Sequence, residues 1–154
     1  MANIAINGFG RIGRAAFKII LDTPELDLVA VNDIVPAENL AYLLRYDSAY
    51  GRYEKSVEVD GDELLVDGKR YPVLKERDPA ELPWDEMGVD IALECTGVFT
   101  ETEDMKKHLQ AGAKYVILSA PVDGEQVPTV VHGVSKPEDS STQMISCASC
   151  TTNC

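Results

Sequence analysis

The glycines of Asn7-Gly8-Phe9-Gly10-Arg11-Ile12-Gly13-Arg14 constrain this chain more than any other stretch. They follow a short apolar run, Asn3-Ile4-Ala5-Ile6, and open a segment in which Ile12, Ala16, Ile19 and Ile20 recur at helical spacing until Thr23-Pro24 stops it. Gly-x-Gly-x-x-Gly is a weak pattern in isolation. Between a strand and a helix it gains a physical meaning, because backbone N–H groups and the positive end of the helix then face a pyrophosphate together. In that setting Gly8 makes the tight turn, Gly10 lets the backbone approach phosphate, and Gly13 lets helix and strand pack closely. A glycine turn that serves packing alone is the weaker alternative.

The residues that follow repeat the alternation. A second strand over residues 26–31 ends on Asn32-Asp33, which completes a strand–helix–strand unit whose strands pair in parallel through a right-handed connection. Residues 37–46 read as a helix after Pro36, with Leu40, Leu43 and Leu44 on one side. Residues 56–73 then alternate apolar and polar positions around Asp60-Gly61 and Asp67-Gly68, dipeptides suited to tight hairpin turns, and predict an antiparallel insertion. The parallel pattern resumes with a strand over 89–95, a helix over 101–111 closed by Gly112, and a strand over 115–118. Further strands are expected at 129–131 and 143–145, with a polar surface loop at 135–142 between them. The fold class is α/β: a Rossmann-type, doubly wound, mostly parallel sheet with a small antiparallel insertion.

Asp33 lies 20 residues beyond Gly13, at the end of the second strand. A carboxylate there can accept hydrogen bonds from adenosine ribose hydroxyls and repel a 2′-phosphate, which favours NAD over NADP. An aspartate at a strand end is also an ordinary turn or cap residue, and its position relative to the glycine loop tips the balance.

The other chemistry lies in Ser146-Cys147-Ala148-Ser149-Cys150-Thr151-Thr152-Asn153-Cys154. A helix beginning near Ser149 would put Cys150 at its positive end, where a thiolate is stabilised and can add to an aldehyde carbonyl. Zinc or an iron–sulfur cluster on Cys147, Cys150 and Cys154, with Cys95 or His132 as fourth ligand, is a second reading. Cys95 and Cys154 are also expected as buried small apolar residues. His108 is expected on a surface helix and His132 in a strand region.

Charge narrows the partners. A formal net charge of −12, from 26 acidic and 14 basic residues, repels nucleic acid and anionic membranes. No apolar run reaches the ~20 residues that span a bilayer, and the N-terminus lacks a secretory pattern, so a cytoplasmic location is expected.

Taken together, these stretches resemble the N-terminal part of phosphorylating glyceraldehyde-3-phosphate dehydrogenases. The resemblance runs through residues 6–14, Val31-Asn32-Asp33, Leu44-Arg45-Tyr46-Asp47-Ser48, Glu94-Cys95-Thr96-Gly97, Leu118-Ser119-Ala120-Pro121 and, most specifically, Ala148-Ser149-Cys150-Thr151-Thr152-Asn153-Cys154. It implies Cys150 as nucleophile, Ser149 and Thr151 as substrate-binding neighbours, and no metal. It also implies NAD contacts from Arg11, Ile12, Asp33, Arg77 and Ser119, beside Gly8, Gly10 and Gly13. Ile34 is an apolar residue of the kind found after the acid in NAD-preferring members.

The substrates so implied are glyceraldehyde 3-phosphate and inorganic phosphate, in a homotetramer. Cys147 departs from the asparagine many members carry. Members run to about twice this length, and their second half supplies the histidine that activates the thiol. Residues 1–148 are therefore expected to form the NAD-binding domain, and 149–154 the start of a catalytic domain.

Overall fold

A computed structural model describes residues 1–122, 126–137 and 141–154. Its elements run β1 (Ala2–Asn7), α1 (Arg11–Leu21), β2 (Leu26–Asn32), α2 (Ala37–Arg45), β3 (Tyr46–Asp47), β4 (Gly51–Arg52), β5 (Val57–Asp60), β6 (Glu63–Val66) and β7 (Lys69–Leu74). A single 3₁₀ turn at Pro79–Glu81 follows, then β8 (Ile91–Glu94), α3 (Thr102–Gln110), β9 (Tyr115–Leu118), β10 (Met144–Ser146) and α4 (Cys150–Asn153).

Eight of the described strands form one sheet in the order β10-β9-β8-β1-β2-β7-β6-β5, and β3 pairs with β4 in a separate two-stranded sheet. Pairing is parallel from β10 across to β7 and antiparallel through β6 and β5. The predicted insertion is thus a continuation of the main sheet, because β7 joins β2 in parallel through Val31–Val73 and Asn32–Leu74. Asp67 and Gly68 both hold positive φ, 48° and 80°, as a two-residue turn between right-twisted strands requires. The small β3–β4 pair was not anticipated. The strand expected at 129–131 reduces to one bridge, Thr129 to Ser146, and His132 sits exposed in a turn. Part of the loop expected at 135–142 lies outside the described residues.

Both faces of the sheet are covered. On one, Ile4, Ile6, Leu28 and Val31 pack with Phe17 and Ile20 of α1, Leu40 and Leu44 of α2, and Leu64 and Tyr71 of the antiparallel strands. On the other, Ala5, Ala30 and Ala92 pack under Trp84, and Met105 of α3 packs on Val116 and Leu118. The small residues of the second face make room for the indole.

Two helix faces differ from expectation. On α1 the buried line is Gly13, Phe17 and Ile20, whereas Ile12 and Ile19 are 55% and 65% exposed. The close approach of Gly13 to the loop before it sets the helix rotation, and the stripe containing Ile12 and Ala16 turns to the side. Leu43 of α2 is likewise half exposed. Among the described residues no helix is long and apolar enough to cross a membrane.

β1 continues through α1 to β2 on one side, while β8 lies against β1 on its other side. The chain therefore reverses direction of travel across the sheet at β1. In open α/β sheets, ligands bind outside the carboxyl ends of the strands at such a switch point.

Candidate active site and cofactor cleft

A cavity of about 380 Å³ opens at that point, lined by Asn7, Gly8 and Gly10 after β1, Asn32, Asp33 and Ile34 after β2, Glu76 and Arg77 after β7, and Cys95, Thr96, Val98 and Phe99 after β8. The carboxyl ends of four adjacent strands supply the whole wall.

The glycine loop is built by close contacts. Gly8 has φ of 93°, and a Cβ there would lie 2.6 Å from the Thr96 backbone nitrogen. A Cβ on Gly13 would lie 2.0 Å from the Gly8 carbonyl oxygen, whereas one on Gly10 would meet no atom within 4 Å. Space is open on the cavity side of the loop and absent on the packing side. The first helical bond of α1 runs from Arg14 N–H to the Gly10 carbonyl at 3.0 Å, so the amides of Arg11, Ile12 and Gly13 precede the ladder.

Asp33 ties this loop to β2. Its carboxylate accepts from the Phe9 amide at 2.7 Å and the Val35 amide at 2.9 Å, while lining the cavity. The turn role weighed for this residue and its place in the cleft therefore coexist. Arg77 is exposed at the rim, and Arg11 points to Asp47 at 3.3 Å, lining neither cavity described here.

A second, more apolar cavity of about 600 Å³ adjoins the first through Cys95, which lines both. Its walls include Ile12, Ser119, Cys147, Ser149 and Cys150. The predicted site residues thus divide: Gly8, Gly10, Asp33 and Arg77 on the first cavity, and Ile12, Ser119, Ser149 and Cys150 on the second. Thr151 is exposed on α4 beside them.

The segment carrying Cys150 is locked at its base. The buried Ser146 hydroxyl donates to the Ala120 carbonyl at 2.7 Å and accepts from the Ala148 amide at 3.1 Å. Ala148 is buried and held at φ of 62°, a conformation unfavourable to residues with a Cβ. Ser149 caps the next turn, its hydroxyl accepting from the Thr152 amide at 3.0 Å. Asn153 donates back to the carbonyls of Cys147 and Ser149, each at 2.9 Å. These bonds fold the short segment so that Cys150, exposed at the first position of α4, borders the cavity.

All four cysteines are free thiols. Burial pushes the Cys95 thiol up to about 11, with a Ser119 hydrogen bond pulling weakly the other way. It is a protonated, packed side chain at neutral pH. Cys154 is exposed, contrary to the expected burial, since nothing among the described residues packs over the end of α4. Among the described residues, no three His, Cys, Asp or Glu side chains gather as metal ligands.

The sequence reading missed the polar network beneath the cleft. His108 is fully buried, not on a surface face: Trp84 Nε1 donates to its Nδ1 at 3.0 Å, and its Nε2 lies 3.0 Å from Glu94 Oε2. Glu94, also fully buried, accepts from Asn7 Nδ2 at 2.6 Å, from the Thr96 amide at 2.7 Å and from the Thr96 hydroxyl. The sequence signal was a lone acid closing the apolar strand Ile91-Ala92-Leu93, a position that demands buried donors.

Residues 2–102 match the family described as glyceraldehyde 3-phosphate dehydrogenase, NAD binding domain. Glyceraldehyde-3-phosphate dehydrogenase of Geobacillus stearothermophilus is 52% identical over 98% of the chain and 45% of its own length. The Clostridium acetobutylicum enzyme of the same name is 49% identical over 100% of the chain and 46% of its own length. Glyceraldehyde-3-phosphate dehydrogenase 1 of Bacillus subtilis is 52% identical over 98% and 45%. The chain spans about half the length of the curated relatives it matches. The glycine loop, the switch-point cleft and the likeness along nearly the whole chain lead to one assignment: this chain belongs to the glyceraldehyde 3-phosphate dehydrogenase family, as its NAD-binding domain.

Proposed function

We propose that this domain holds NAD across the first cavity and presents Cys150 as the nucleophile of an NAD-dependent, phosphorylating oxidation of glyceraldehyde 3-phosphate. The observation that carries the reading is that Cys95 lines both cavities, which sets the glycine loop and Cys150 on neighbouring sides of one residue. The residues fit the cofactor: Gly10 leaves open space at the loop, the leading amides of α1 precede its hydrogen-bond ladder, and Asp33 stands at the end of β2.

The Cys150 thiolate adds to the aldehyde carbon, forming a thiohemiacetal. NAD, when bound, supplies the acceptor for the hydride that leaves this carbon; the hydroxyl proton passes to the base that activates the thiol, and the carbon becomes a thioester on Cys150. An oxygen of inorganic phosphate then attacks the thioester carbonyl and expels the Cys150 thiolate, releasing 1,3-bisphosphoglycerate. Ser149 and Thr151 flank the nucleophile and contact substrate. Gly8, Gly10, Gly13, Arg11, Ile12, Asp33, Arg77 and Ser119 serve the cofactor. The family resemblance implies a histidine outside these residues as the activator of the thiol; His108 is sequestered, and His132, exposed in a turn, lines neither cavity. We place the domain boundary at residue 148 and read the intact protein as a cytoplasmic homotetramer acting in glycolysis.

Steady-state turnover by the intact protein tests the substrate. Phosphate-dependent NADH production from glyceraldehyde 3-phosphate is expected to exceed that from erythrose 4-phosphate. A strong preference for the four-carbon aldehyde contradicts the assignment.

A further inference from the structure

Beneath the first cavity runs a chain of buried hydrogen bonds whose direction is set by one residue. Trp84 Nε1–H can only donate, so Nδ1 of His108, 3.0 Å away, must accept and carries no proton. The neutral ring then bears its proton on Nε2 and donates to Glu94 Oε2 at 3.0 Å. With Asn7 Nδ2, the Thr96 amide and the Thr96 hydroxyl, Glu94 accepts from four donors.

That carboxylate orients Asn7. Because Asn7 donates its Nδ2 to Glu94, its Oδ1 must face Asn32, whose Nδ2 donates to it at 2.7 Å. Asn32 meets this line from its other end, donating to the Glu76 carbonyl at 2.9 Å and accepting from the Glu76 amide at 2.9 Å, so backbone fixes its orientation. Asn7, Asn32, Glu76 and Thr96 stand on the wall of the cavity, at the ends of β1, β2, β7 and β8. Glu94 itself does not line it.

We propose that Glu94 is a positioning residue for the cofactor: without touching the cavity, its carboxylate accepts from Asn7 in the one amide orientation that also satisfies Asn32, and so holds together the four strand ends that form the NAD site. This rests on the cofactor reading above. The backbone of Glu76 cannot exchange its donor and acceptor, so a reversal at Glu94 cannot be absorbed by flipping the two asparagines. It leaves donor against donor somewhere along the line.

The test uses the intact protein. Glu94→Gln keeps the shape but must turn its NH2 either toward Asn7 and His108 or toward the Thr96 amide, so donor faces donor in both orientations. NAD dissociation constants from calorimetry and KM for NAD are expected to rise tenfold or more, with kcat at saturating NAD within threefold of wild type. A merely structural lesion would lower kcat as well. Wild-type protein that binds no NAD overturns the cofactor reading itself. Wild-type binding with Glu94→Gln unchanged within twofold, or a fall in kcat alone, overturns the role of Glu94 only.

Should Glu94→Gln not fold, His108→Gln is compared with His108→Leu. Glutamine can donate to Glu94 and accept from Trp84, and is expected to hold NAD affinity within threefold of wild type. Leucine can do neither and is expected to lose tenfold. Equal affinities in the two variants overturn the proposal.

Discussion

Replacing Asp33 by Asn leaves one oxygen to accept from the loop while removing the charge. The ratio of NADP to NAD affinity, from paired calorimetric titrations, is expected to rise at least tenfold, and an unchanged ratio would show that Asp33 has only its turn role. Asp33 sits at a fixed interval from the glycine loop and Cys150 lies in a contiguous motif, so local spacing reaches both. His108 and Glu94 meet Trp84 and Asn7 across 24 and 87 positions, and nothing in a helical pattern tells a buried histidine from a surface one.

Cys95 carries a second residue-scale expectation. Its thiol is raised from an ordinary 9.0 to about 11 by burial, so the unfolded chain ionises first as pH climbs. The stability it contributes is whole below the ordinary value and is lost as pH rises through the folded one. Between pH 8 and 10.5 wild type should lose ~2 kcal/mol more than Cys95→Ala in urea unfolding. Parallel pH profiles for the two would refute this.

At the level of elements, periodicity located nearly every strand and helix but misjudged which face was buried. The line Ile12, Ala16, Ile19 and Ile20 is the more apolar in composition, yet α1 packs through Gly13, Phe17 and Ile20. Backbone proximity decided it, since only the glycine permits the approach to the loop. Gly13→Ala would drive a methyl to 2.0 Å from the Gly8 carbonyl, and backbone cannot yield as a side-chain tip would. A loss of roughly 2–4 kcal/mol is expected by denaturant titration, with weaker NAD binding, because the same loop forms the cleft. A variant as stable as wild type would show that α1 can slide on the sheet. The hairpins were legible for the converse reason: Asp67-Gly68 encodes its turn locally. The junction of β7 with β2 is a long-range pairing, and composition carries no trace of it.

For the whole molecule, the order of strands explains why chemistry gathers at one edge. The six described strands in parallel register, β10 across to β7, place their carboxyl ends together, so the loops after β1, β2, β7 and β8 form one cavity and the segment after β10 delivers Cys150 to the adjoining one. The glycine loop was visible in the sequence as a cofactor element and the cysteine motif as a nucleophile. Their meeting at Cys95 was not, because it depends on β8 and β10 lying on the far side of β1.

The central claim, that this cleft joins a bound NAD to Cys150 as nucleophile, is tested most directly by mass spectrometry. The intact protein is mixed with glyceraldehyde 3-phosphate and NAD in the absence of phosphate. An acyl adduct is expected on Cys150, formed in step with NADH, discharged on adding phosphate and lacking in Cys150→Ser. An adduct on another cysteine, or NADH formed by Cys150→Ser, would contradict it.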